Sequence, residues 1–255
     1  MHNTSSFSRS SPSSLLALLF LCIGVIFLCT GSILCPDVFA RPVLSSAAEI
    51  QYPPFSFVNE HGQARGFSVE LMRKVLDAVG YDVSFQTGPW QRVKSWLEQG
   101  QVQALPLVGR TPEREESFDF TFPYISLHGA IVVRKSSTDI HGLEDLTGRQ
   151  VAVMQGDNAQ EFLQRKERGI RVQVTRTYQQ ALRQLAAGIH DAVFIQRLVA
   201  LRLMQRMHLP GLKILKDPVH EFKQDFCFAV REGDKKTLAL LNEGLALVMA
   251  NGSYR

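Results

Sequence analysis

The sequence predicts an α/β fold of two lobes with a cleft between them, and three observations carry that prediction. Strand-like and helix-like segments alternate along residues 41–255, the pattern of helices covering mostly parallel sheets. Two apolar runs that no turn residue interrupts, Ile131-Val132-Val133 and residues 226–230, divide the alternation and read as strands crossing from one lobe to the other. About 215 residues follow residue 40, enough for one large domain or two smaller lobes with cores of their own.

The first forty residues are of another kind. A Ser-rich start holding Arg9 leads into an uncharged run over residues 15–34, then Cys35-Pro36-Asp37 and the small-residue stop Val38-Phe39-Ala40. That is the order of a secretory signal peptide cut after Ala40, with an uncleaved membrane anchor as the competing reading because the run is just long enough to span a bilayer. Leu34 before Cys35 disfavours a lipid-attachment site. Cys22, Cys29 and Cys35 lie in this leader, which leaves Cys227 alone and no disulfide to be expected within the mature part. Without Arg9 and Asp37 there are 27 basic and 23 acidic residues, spread along the chain, so no basic stripe for nucleic acid is expected. The seven histidines show no metal-ligand spacing, and neither a metal nor a cofactor is expected.

The elements follow in order. A strand near Val43–Glu49 leads to the turn Tyr52-Pro53-Pro54-Phe55, and Phe57-Val58 enters the polar turn Asn59-Glu60-His61-Gly62. Ser68 is placed to cap a helix with the apolar face Val69, Met72, Val75, Leu76 and Val79, stopped at Gly80. Residues 81–85 alternate as a strand. Gly88-Pro89 then opens a helix through Trp90, Val93, Trp96 and Leu97 to Gly100, and residues 104–108 form a short buried strand. In the second half, Gln150–Met154 reads as a strand and Gly156-Asp157-Asn158 as a turn and cap before a helix presenting Phe162-Leu163. Thr177 and Gln180 make a capping-box pair before Ala181, Leu182 and Leu185, with Gly188 as the stop. Strands over residues 192–195 and 212–215 and a last helix from about Lys235 to Ala250 complete the pattern.

Several ordered pieces of this chain resemble the polar-amino-acid type of periplasmic solute-binding protein over about residues 43–254. They include Tyr52-Pro53-Pro54-Phe55, Gly66-Phe67-Ser68-Val69-Glu70-Leu71, Arg110-Thr111-Pro112-Glu113-Arg114, Phe118-Asp119-Phe120-Thr121-Phe122-Pro123-Tyr124 and Asn251-Gly252-Ser253-Tyr254. Each is weak alone; their shared order and spacing carry the likeness. It implies the two-lobed periplasmic-binding-protein (Venus flytrap) fold with two hinge crossings and a ligand cleft between the lobes. Lobe 1 would comprise residues 41–130 and 222–255, and lobe 2 residues 131–221. The same module also forms the outer sensing domain of signalling proteins, and Gly88-Pro89-Trp90 with Arg110-Thr111-Pro112-Glu113-Arg114 resembles those sensors more than transport receptors. The family runs on past Asn251-Gly252-Ser253-Tyr254, so the last helix is expected to be cut short at Arg255.

The resemblance also implies roles. Arg114 would hold the α-carboxylate of an amino acid, a task that suits the planar fork of a guanidinium. The bland alternative is a surface pair with Glu113, Glu115 or Glu116. Val108 and Gly109 lie where the family turns backbone groups toward the ligand, and Asp157 and Asn158 where the second lobe completes the carboxylate site at a helix start, unless they only cap that helix. Tyr52 and Trp90 would sandwich the ligand side chain, whereas Trp96 is expected in the core. Gln196 stands where the family commonly has an aspartate for the ammonium group, a departure that removes a charge. Glu49 and Asp157 together favour a cationic ligand such as arginine or lysine.

The function expected is therefore non-enzymatic amino-acid binding in the periplasm by lobe closure, serving an ABC-transport permease or an attached signalling output. The enzymatic alternative that the likeness allows is a periplasmic dehydratase of the prephenate/arogenate type, with Glu49 or Asp157 as its acid.

Overall fold

The computed structural model describes residues 1–2, 40–166 and 168–254. The expected leader, with Cys22, Cys29 and Cys35, lies outside the described residues apart from its two ends. β1 (Val43–Glu49) runs into a small antiparallel sheet of β2 (Gln51–Tyr52), β3 (Ser56–Val58) and β4 (Ala64–Arg65). Next come α1 (Phe67–Ala78), β5 (Asp82–Gly88), α2 (Trp90–Glu98), β6 (Ala104–Gly109), the single turn α3 (Pro112–Glu115) and β7 (Phe118–Phe120). β8 (Ile125–Arg134) leads through a 3-10 turn to β9 (Gln150–Met154), α4 (Asn158–Lys166), β10 (Arg171–Thr175) and α5 (Tyr178–Ala186). β11 (Ala192–Gln196), α6 (Arg197–Met207), β12 (Leu212–Ile214), β13 (Val219–Arg231) and α7 (Lys235–Ala250) complete the chain.

The large sheet has the order β10-β9-β11-β8-β13-β6-β1-β5. Parallel pairs lie at its two ends, β9 with β10 and β11 on one side and β1 with β5 and β6 on the other. Between them β8 and β13 are antiparallel to each other and to their outer neighbours. These two strands contain the apolar runs at 131–133 and 226–230, and they are the two crossings of a two-lobed α/β fold. They are also the longest strands, as they must be to belong to both halves. Parallel strands are covered on both faces, so alternate residues enter different cores. On β9, Val151 and Val153 pack with Phe162 and Phe194, while Ala152 and Met154 pack toward Tyr178 and Leu182 of α5.

Local chemistry agrees with the pattern in most places and departs from it in three. The apolar face of α1 buries Val69, Met72, Val75 and Leu76. Its cap, however, is Gly66, not Ser68. Gly66 has a φ of 118°, and a Cβ there would lie 2.4 Å from the Phe55 carbonyl oxygen. Ser68 is already inside the helix and fully buried, and its hydroxyl accepts from the Tyr124 hydroxyl at 2.8 Å. The strand expected at 81–85 runs over Asp82–Gly88, held in register by seven pairs with β1. Thr177 caps α5 by accepting from the Gln180 amide at 3.1 Å, but the Gln180 side chain reaches back to the Arg176 amide, one residue beyond a standard capping box.

Candidate functional site

In open α/β sheets, ligand crevices form beyond the carboxyl ends of parallel strands. Here Glu49 ends β1, Gly109 ends β6 and Met154 ends β9, and all three face one cavity. The cavity contains about 280 Å³ of space, most of it too close to the walls to admit the centre of a water molecule.

One end is built around Arg114. Thr111 and Pro112 start the short α3, which turns the guanidinium inward until only 3% of the residue is exposed. Nη1 donates to the Gly109 carbonyl at 3.1 Å, Nη2 to the Gly156 carbonyl at 3.1 Å and Nε to Glu161 Oε1 at 3.0 Å. Thr111 donates to the other Glu161 oxygen at 2.8 Å. The expected local pairing is therefore not what holds this arginine: Glu115 pairs with Arg110 and Glu113 with Arg165, while the partner of Arg114 is on α4. Trp90, the first residue of α2 after Pro89, stacks its ring 5.0 Å from the guanidinium and donates Nε1 to the same Gly156 carbonyl at 2.6 Å.

The other end is acidic. Glu49 is buried, and the Gln51 amide donates to its Oε1 at 3.2 Å. Burial pushes its carboxyl up to about 8; the Gln51 amide opposes this and the neighbouring charge of Asp157 adds to it. Asp157 accepts from the Ala159 amide at 2.9 Å and from the Tyr178 hydroxyl at 2.8 Å. It thus caps α4 and lines the cavity at once. Burial raises its carboxyl to about 6 against the Ala159 amide, the charge of Arg114 and the Tyr178 bond, with Glu161 also raising it. Tyr52 lies with its ring 6.2 Å from that of Tyr178, and among the described residues its buried hydroxyl has no hydrogen-bond partner.

Seven of the nine expected residues line this one cavity: Glu49, Tyr52, Trp90, Gly109, Arg114, Asp157 and Asn158. Val108 and Gln196 do not. Strand alternation turns Leu107 and Gly109 to the cavity and Val108 into the core, so only its backbone is at hand. Gln196 is fully buried at the end of β11, and neither its side-chain nitrogen nor its oxygen has a partner among the described residues. Gly109 has a steric reason to be glycine, because a Cβ there would lie 2.4 Å from Asn158 Nδ2. Trp96 is partly buried against Gly88, away from the cavity. Sequence reasoning missed Leu107, Met154 and Phe226 on the wall and Tyr178 and Glu161 behind it. The period-2 rule applied to β6 finds Leu107, and Phe226 is the register partner of Gly109. Among the described residues no three His, Cys, Asp or Glu side chains gather to hold a metal, and no helix is long and apolar enough to cross a membrane.

A fold of two parallel αβ units joined by two antiparallel crossings, with a polar and aromatic cleft at the strand ends, defines a two-lobed solute-binding protein. The chain belongs to the bacterial extracellular solute-binding proteins, family 3, whose model matches residues 44–255. It is 29% identical over 216 residues to the probable amino-acid-binding protein YxeM of Bacillus subtilis, covering 84% of this chain and 81% of that one. Among solved structures it is similar to a histidine kinase sensor domain resembling periplasmic binding proteins, at 31% identity and a TM-score of 0.80 over 84% of this chain and 93% of the other. It is likewise similar to an ancestral arginine-binding protein bound to arginine, at 28% identity and a TM-score of 0.76 over 84% and 95%.

Proposed function

We propose that the chain binds a cationic amino acid such as arginine or lysine in the periplasm by closing two lobes around it, as the sensing domain of a receptor or as the binding protein of a transporter. Lobe 1 takes residues 41–130 and 222–255, and lobe 2 residues 131–221. The observation that carries the reading is the cleft's polarity: one buried arginine, itself paired with Glu161, faces two further buried carboxyls, Glu49 and Asp157. With Arg114 and Glu161 cancelling, the cleft has room for net positive charge.

In this reading Arg114, which spends three of its five N–H groups on Glu161, Gly109 and Gly156, turns the remaining two to the ligand carboxylate. Asn158 and the amides that start α4 meet the carboxylate from lobe 2. Tyr52 and Trp90 flank the ligand's stem, and Glu49 with Asp157 receives its distal cation. The backbone of Val108 and Gly109 takes the ammonium end. Closure follows because the solute touches both lobes; a ligand that interacts equally with the open and closed forms shifts nothing. Calorimetry against arginine, lysine, glutamine and glutamate tests this. Arginine or lysine is expected to bind most tightly, and tightest binding of glutamate overturns the charge argument.

The relative identified as a sensor domain supports the sensing role, and the relative named as amino-acid-binding supports the class of solute. One observation favours a second reading. Two cleft carboxyls with values pushed apart, about 8 and about 6, are what a dehydratase would need as acid and base. Incubation with prephenate decides it: formation of an aromatic product establishes the enzyme, and unchanged substrate removes it.

A further inference from the structure

One buried polar group beside the cleft has no part in that scheme. Tyr178, the first residue of α5, is almost fully buried, donates its hydroxyl to Asp157 and lays its ring against Tyr52 at an interplanar angle of 54°. It stands behind two wall residues without lining the cavity itself. We propose that Tyr178 is a positioning residue that fixes the charge and the aim of Asp157, and through it the preference of the cleft for cationic over neutral solutes. The proposal rests on the cleft's being the amino-acid site described above.

The argument is one of bonds and charges. A hydroxyl bonded to an ionised carboxylate acts as the donor, and hydrogen bonds made to the charged form of a group favour that form. Five side chains bear on Asp157: Arg114 from α3, Glu161 from its own helix α4, Glu49 from the end of β1, Tyr52 from β2 and Tyr178 from α5. Burial and Glu161 work toward protonation. Arg114 works against it, but its charge is shared with Glu161. The Ala159 amide and the Tyr178 hydroxyl are the two donors that bond the carboxylate directly, and they add to Arg114 in holding it ionised. Without the hydroxyl, Asp157 takes up a proton closer to neutral pH, and a neutral acid exerts no net attraction on a cation. The bond also spans from α5 to the start of α4, so the same hydroxyl aims the carboxyl group toward the cleft.

Y178F keeps the ring against Tyr52 and deletes only the hydroxyl. Two measurements test it: carboxyl titration of the ligand-free protein by carbon NMR, and calorimetry with arginine and glutamine between pH 5.5 and 9. In Y178F the Asp157 midpoint is expected to rise, with arginine bound about tenfold more weakly near pH 7, the scale of one hydrogen bond to a charged group. Arginine affinity should recover at higher pH while glutamine affinity stays put. An unmoved midpoint, or equal losses for both ligands at every pH, overturns the proposal and leaves Tyr178 a packing residue. If the wild type binds neither ligand, the amino-acid reading fails while the titration still decides what Tyr178 does to Asp157. Should Y178F not fold, a fluorotyrosine at position 178, a stronger donor of nearly the same shape, must move the Asp157 midpoint down; no movement overturns the proposal.

Discussion

The two ends of the cleft are built on opposite principles. The guanidinium of Arg114 is answered: a carboxylate and two carbonyls take three of its hydrogens and Trp90 covers its face. Around Glu49 the polar groups are not. The acid has one amide for company, and the buried Tyr52 hydroxyl has no partner among the described residues. A fully bonded charge is fixed before any ligand arrives, whereas an under-bonded acid sits in its neutral form and changes state with what is placed beside it. In the proposed reading the arginine end is therefore preorganised, and the acid end is where one ligand would be told from another.

The largest effect that separates the ends is expected from R114A. It removes the guanidinium and leaves the part-buried Glu161 with Thr111 as its remaining partner, at a cost of up to about 3 kcal/mol, the low end for breaking a buried pair. Amino-acid affinity should fall by about three orders of magnitude and the denaturation midpoint should drop with it. R114K, which keeps the charge but not the fork, should regain only a small part. Wild-type affinity in R114A, measured by calorimetry, would mean that the preorganised end is structural only.

At the acid end the expected effects depend on pH. A folded value near 8 for Glu49, against 4.5 for the ordinary group, means that the folded chain holds one more proton than the unfolded chain between those limits. Its contribution to stability is thus whole below about pH 4.5 and is lost as pH rises through 8, at no more than about 1.4 kcal/mol per pH unit. A cationic ligand reverses the preference by favouring the ionised acid, so its affinity should rise with pH, by at most about tenfold per unit, and level off above 8. E49Q should flatten both curves. A cationic ligand whose affinity ignores pH in the wild type would take Glu49 out of the site.

Gly109 lies between the two ends, and G109A should be milder. Its new methyl meets Asn158 Nδ2 first and Gln224 Cγ at 3.0 Å. The first is the tip of a side chain that can yield, so the expected cost is about 1 kcal/mol, the low end for overpacking. Because Asn158 lines the cavity, ligand affinity should fall along with stability. A stability loss with unchanged affinity would show that Asn158 shapes the wall without meeting the solute.

How much of this was legible in the sequence follows from the range of the interactions. The alternation of elements, the face of α1 and the two crossings rest on patterns within a few residues, and they read correctly. Glu49, Tyr52, Trp90, Arg114 and Asp157 line one cavity at strand and helix ends, and family resemblance supplied positions that periodicity alone does not. Ser68 misled because a serine two residues past a glycine looks like a cap, and only the approach of the Phe55 carbonyl shows why the glycine must take that place. The partnership of Arg114 with Glu161, 47 residues away, and of Asp157 with Tyr178, 21 residues away, is a product of tertiary packing and leaves no local signal. The raised value at Glu49 is equally hidden, since it depends on burial.

The smallest expected effect comes from the rim, where the same two helices make a second ion pair. Arg165 of α4 meets Glu113 of α3, but both side chains are about 40% exposed, unlike Arg114 and Glu161. Exposed pairs contribute about 0–1 kcal/mol and are screened by salt, so R165A should weaken ligand binding by no more than about fivefold, and by less at high ionic strength. A small loss would confine the α3–α4 clasp to its buried member. A loss as large as that in R114A, persisting at high salt, would mean that the rim pair and the buried pair act as one network and that closure, not ligand contact, is what both arginines serve.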